Sequence, residues 1–83
     1  MRILLVVDRA KAGPGIWALV WTSADDDPKL LDSKHFLGEA ALKVWLAGIA
    51  TRYGRTNIIV DWTPALQSDE RLAAAVRECM EAS

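Results

Sequence analysis

Five consecutive apolar residues, Ile3 to Val7, open the chain and stop at Asp8 and Arg9. Both alternating sets, Ile3-Leu5-Val7 and Leu4-Val6, are apolar, which predicts a central β-strand covered on both faces. The stretch Arg9 to Gly15 reads as a turn built on Gly13-Pro14-Gly15. Ile16 to Thr22 then alternates, with Trp17, Leu19 and Trp21 on one face and Ile16, Ala18 and Val20 on the other. Two strands joined by a short loop predict an antiparallel hairpin. Asp25-Asp26-Asp27-Pro28 reads as a polar turn, without the ligand spacing and closing Glu of a calcium loop. Lys29 to Leu31 predicts a short third strand at the sheet edge, its charged flanks discouraging further pairing.

The pattern changes period after that. Apolar positions from Phe36 through Leu42, Trp45, Leu46 and Ile49 to Tyr53 predict a long helix, starting near Ser33 or His35 and stopping at Gly54. Its apolar positions spread beyond one stripe, so the helix needs cover on more than one side, which a second copy can supply. Gly54-Arg55-Thr56-Asn57 predicts a turn, and Ile58-Ile59-Val60 a short buried strand ending at Asp61. Thr63-Pro64 reads as an N-cap with proline at the first helical position. Ser68-Asp69-Glu70 is an alternative start with acids in the first turn. The last helix, Arg71 to Ala82, turns Leu72, Val76 and Cys79 or Met80 inward.

These elements constrain one another. The first strand and the strand at Ile58 are the two that read as buried, so they are adjacent. A long helix links them as a right-handed crossover only if they run parallel. Asp8 and Asp61 then end neighbouring strands at one edge, where the helix carrying Glu39 begins. Three carboxylates converge there.

Composition narrows the setting. Eighty-three residues make one domain, residues 1–83. At this size only ~60–65% of the unfolded surface is buried, so 52% apolar residues and four Trp make a subunit interface plausible. Ten basic against eleven acidic residues give a net charge of −1, which counts against generic nucleic-acid binding through a basic excess. The single Cys79 excludes an internal disulfide and fits a reducing, cytoplasmic compartment. The apolar start is too short to span a membrane.

Like charges held together need protons or a cation. Oxygen ligands without a nearby His or Cys suit Mg²⁺ or Mn²⁺, and two such ions ~4 Å apart can activate water and hold the leaving oxygen in phosphodiester hydrolysis. Asp8, then Ala10, then Gly13 to Ala18 (GPGIWA), resembles the opening of the ribonuclease H family. Glu39-Ala40 with Leu42 resembles that family's helix-borne Glu, and Ile58 to Trp62 (IIVDW) its third catalytic Asp. The resemblance covers about residues 2 to 66. It implies a ribonuclease H-like α/β mixed sheet ordered 3-2-1-4, an antiparallel hairpin plus a parallel fourth strand, with two helices. It also implies a two-metal site of Asp8, Glu39 and Asp61, with Asp8 bridging both ions, and cleavage of RNA or an RNA–DNA hybrid. Trp62 stands where the family carries a small residue after the third acid, and Asp69, Glu70 and Glu78 compete to replace a fourth.

Plainer roles stand beside these. Asp8 can pair with Arg9 or Lys11, Glu39 with Lys43 four residues on, and Asp61 can cap the following turn. His35 fits a helix start, and Cys79 fits packing better than nucleophilic chemistry. If the helices leave Trp17, Leu19 and Trp21 uncovered, that face becomes an association surface. Two expectations follow. One is a minimal metal-dependent nuclease of the ribonuclease H type. The other is a non-catalytic module of the same fold, acting as a homo-oligomer or protein binder through its Trp face.

Overall fold

A computed structural model describes residues 2–10, 15–23 and 27–81. The tip of the Gly13-Pro14 turn, Asp25 and Asp26 of the acidic turn, Lys11, and Ala82, where the last helix was expected to end, lie outside the described residues. In chain order the elements are β1 (Ile3–Arg9), β2 (Ile16–Thr22), β3 (Leu30–Phe36), α1 (Glu39–Tyr53), a single 3₁₀ turn (Arg55–Asn57), β4 (Ile58–Val60), α2 (Pro64–Ser68) and α3 (Glu70–Glu81).

The sheet runs β3-β2-β1-β4. β1 pairs antiparallel with β2, β2 antiparallel with β3, and β1 parallel with β4. This is the strand order and polarity the crossover argument and the family resemblance led to. Two elements differ from expectation. The third strand extends to Phe36, taking in Ser33 and His35, so α1 begins only at Glu39. Pairing explains this: Ser33, His35 and Phe36 each sit opposite a residue of β2, and Phe36 is buried beside Ile16. The ladder with β2 outweighs the weak helix signal that His35 and Phe36 carry as the first turn of a longer run. The region after Asp61 also holds two helices where one was expected, because both candidate starts are used. Thr63 Oγ1 accepts from Leu66 N–H at 3.1 Å to cap α2 behind Pro64. Asp69 Oδ1 then accepts from Leu72 N–H at 3.1 Å to open α3.

The largest correction concerns the sheet's cover. Ile3, Leu5 and Val7 of β1 and Ile16, Ala18 and Val20 of β2 form one buried face, packed with Leu42 and Leu46 of α1 and Leu72 and Val76 of α3. Cys79 and Met80 both pack against that core, at its margin. Every long helix therefore lies on the same side. The opposite set of β1, Leu4 and Val6, is only half-buried, so β1 is covered on one face and not on two. The protein is a two-layer plate, 32 × 30 × 20 Å, its thin dimension matching one helix layer on one sheet.

α1 ends where Gly54 adopts φ +87° and donates its N–H to Ala50 O at 2.9 Å, a conformation that favours glycine. That turn feeds β4 back alongside β1 and so fixes where Asp61 falls.

Candidate functional site

Asp8 lies at the carboxyl end of β1, in register with Trp17, which in turn faces His35 on β3. By alternation Asp8 belongs to the uncovered side of the sheet. Its carboxylate turns back on its own chain, with Oδ1 accepting from Arg9 N–H at 2.8 Å. Asp61 continues the β4 ladder by donating its backbone N–H to Leu5 O at 2.9 Å. Since Val60 pairs with Leu5, Asp61 stands level with Val6, two residues behind Asp8 along the strand direction. That offset is about 6–7 Å. Asp61 shares the uncovered side and is exposed.

Glu39 sits elsewhere. As the first residue of α1 it is on the helix-covered side, where Arg9, the odd-numbered neighbour of Asp8, also points. The Arg9 guanidinium reaches Glu39 Oε1 at 3.0 Å and bonds both oxygens of Asp69, through Nε to Oδ2 and through Nη2 to Oδ1. The three predicted ligands thus do not come together in one cluster among the described residues. Asp8 and Asp61 share one side at different levels, and Glu39 is held on the other by a cation the chain itself provides. Among the described residues, no three carboxylate, His or Cys side chains form a group able to hold a metal ion.

Arg9 shapes the electrostatics of this corner. Asp69, with Glu39 behind it, raises the Arg9 guanidinium above its already high value through direct hydrogen bonds. The same bond holds the Asp69 carboxyl below its usual range. Glu39 is lowered first by its own backbone N–H at the helix start and then by Arg9, in keeping with an anion in the first helical turn. Asp8, Arg9, Ser68, Asp69, Glu70 and Arg71 line an open groove where β1 meets α2 and α3. Its two arginines offset two of its three acids, and the Asp69 carboxylate is already taken up by Arg9.

The local pairings expected from spacing are partly redirected. Lys43 does not pair with Glu39, one turn away on its own helix. Its Nζ meets Glu78 of α3 at 2.8 Å, which raises the Lys43 ammonium. Cys79 Sγ donates to Lys43 O at 3.6 Å, and burial pushes its thiol up, away from the thiolate form. Trp62 packs at the core margin with the Arg77 guanidinium 5.0 Å from its ring centre. The residue after Asp61 is therefore committed to holding α3.

Two residues of this corner escaped sequence reasoning in part. Arg9 was weighed only as a partner of Asp8, its neighbour. Asp69 was one of three acids with nothing to choose among them. Alternation along β1 carries the one signal for Arg9, since it puts residue 9 on the face opposite residue 8.

No family model, curated protein or solved structure matches this chain. Among the described residues, no helix is long and apolar enough to cross a membrane.

The uncovered side of the sheet is the other functional candidate. Its rungs pair Trp17 with Asp8 and His35, Leu19 with Val6 and Ser33, and Trp21 with Leu4 and Leu30, while Leu4 also pairs with Ile59 of β4. Trp17 is 46% exposed and Ile59 44%. The Trp17 and His35 rings pack at a tilt, 44° between planes and 4.7 Å between centres. Among the described residues, the centre of this face holds no charged side chain: Asp8 and Asp61 stand towards one end and Arg2 at the other.

Proposed function

We propose that this protein is a binding module that works by associating with another protein surface through the uncovered face of its sheet. The observation that carries the reading is the one-sided cover. Leu4, Val6, Trp17, Leu19, Trp21 and Ile59 form a continuous apolar surface with no helix of the described residues over it. A surface of that kind on so small a domain is costly to leave in water and marks an interaction site. The acidic corner supports the same reading, because Glu39 and Asp69 are both already paired to Arg9.

The test uses an environment-sensitive apolar dye with the folded chain at high dilution, where assemblies come apart. Strong dye fluorescence is expected, and loss of it in Leu19→Lys with an unchanged far-ultraviolet circular dichroism spectrum. A folded, dilute wild-type chain that binds no dye overturns the proposal.

One observation favours a second reading, a ribonuclease H-like nuclease using Mg²⁺ or Mn²⁺ on RNA or an RNA–DNA hybrid. The order β3-β2-β1-β4 with β1 parallel to β4 is the arrangement in which Asp8 and Asp61 end adjacent strands, with Glu39 at the start of the crossover helix. In that reading Asp8, Glu39 and Asp61 would hold the metal in place of the Arg9 contacts, and the metal would supply activation of the attacking water. Mn²⁺-dependent cleavage of an RNA–DNA hybrid, lost in Asp8→Asn, is the outcome it requires. Absence of cleavage by wild type removes it.

A further inference from the structure

We infer that the partner of the uncovered face is a second copy of this chain, packed sheet against sheet about a two-fold axis parallel to the strands and between β1 and β2. The inference rests on the association reading above and names its partner.

Size is the first argument. The whole plate's broad side measures 32 × 30 Å, an outline on the order of 750 Å² that bounds the face from above, against the ~800 Å² per partner of a standard stable interface. A short peptide or a small ligand leaves most of that surface wet. A second plate covers it and produces the four layers helix, sheet, sheet, helix. The apolar residues now half-buried then become the inner faces of a sandwich, with strands of the two sheets aligned to within about 30°.

Shape is the second. Each rung across β1 and β2 sets a large residue beside a smaller one: Trp17 by Asp8, Leu19 by Val6, Trp21 by Leu4. A two-fold axis between these strands exchanges them while keeping the level. Trp21 of one copy then lies over Leu4 of the other, Leu19 over Val6, and Trp17 over Asp8. Large meets small at every rung, and no Trp is stacked head-on against itself. One patch serves both partners, as an isologous contact requires.

Charge is the third. The same operation carries Asp61 on β4 to the β3 side of the second copy, opposite Ser33, which stands between Asp32 and Lys34 along that strand and next to His35 on its own face. Asp61 therefore does not meet its own copy. Other macromolecules fit less well. The face offers Arg2 alone as a described cation at one end, and the chain's net charge is −1, so a polyanion or an anionic membrane gains little from it.

Sedimentation equilibrium over a concentration series, with dye fluorescence read on the same samples, decides the matter. The mass is expected to rise to twice that of the chain while dye fluorescence falls, as the face closes. Leu19→Lys and Val6→Lys are expected to stay monomeric with wild-type circular dichroism. Val44→Lys, placed on the outer surface of α1 where Val44 is 75% exposed, is expected to dimerise normally. A wild-type chain that binds dye but stays monomeric throughout removes the second copy and leaves the association reading standing. A chain that binds no dye when dilute removes both. A dimer that survives Leu19→Lys and is lost in Val44→Lys overturns the inference in favour of the helix face.

Discussion

Replacing Asp69 by Asn tests what Arg9 does at the acidic corner. Asn caps a helix about as well as Asp, so the bond from Leu72 N–H to residue 69 that opens α3 survives. What disappears is the charge that the Arg9 fork grips with two donors. Arg9 is 43% exposed and Asp69 21%, so solvent screening keeps the pair in the range of surface ion pairs. The two-point geometry puts it near the top of that range, about 1 kcal/mol. In a domain of this size that is a fall in Tm of about 4–8 °C.

The sign with pH follows from the direction of the shift. Arg9 holds the Asp69 carboxyl below its usual value, so the stabilisation is fully present above the ordinary Asp value of ~3.9 and is lost as pH falls through the lower, folded value. Thermal unfolding followed by circular dichroism at neutral pH should therefore separate wild type from Asp69→Asn. Unfolding at strongly acid pH should bring them together, as should high salt at neutral pH. A double-mutant cycle with Arg9→Gln isolates the pair itself. Equal stability at neutral pH refutes the ion-pair reasoning. A gap that persists unchanged in acid refutes it too and assigns the effect to the cap.

Other expectations concern the frame around the site. Leu46, fully buried where α1 crosses the sheet, should lose about 2–5 kcal/mol on replacement by Ala, measured by urea denaturation. Gly15 has φ +143°, and a Cβ there meets His35 Nε2 at 2.1 Å. Gly15→Ala should therefore destabilise by roughly 1–3 kcal/mol, with His35→Ala recovering only the steric part and not the backbone strain. Cys79 should react with a disulfide reagent far more slowly in the folded chain than in denaturant, because burial raises its thiol. Fast folded-state reaction contradicts the packing described for α3.

Much of the fold was legible in the order of the residues. Two strands of period two, a long helix stopped by Gly54, and a short strand returning at Ile58 leave few topologies. The handedness of the crossover selects the one in which β1 and β4 are parallel neighbours. Local signals also marked both helix starts, Thr63-Pro64 and Asp69-Glu70, although nothing in the sequence said that both are used. Where β3 ends and α1 begins was not legible, because that boundary belongs to pairing with β2 rather than to residues 33–36 themselves.

The acids illustrate the same division more sharply. Sequence and chirality were sufficient to bring Asp8, Glu39 and Asp61 to one edge of the fold. They did not say which side of the sheet each side chain takes, and a sheet is a partition. A single residue's alternation sends Asp8 to the uncovered side and Arg9 to the other, where it binds Glu39 and Asp69. The Trp face follows the same logic. That Trp17, Leu19 and Trp21 share a side is a consequence of period two. That no described helix covers them was decided only in three dimensions, when α1 and α3 packed on the same face over Ile3, Leu5 and Val7 of β1.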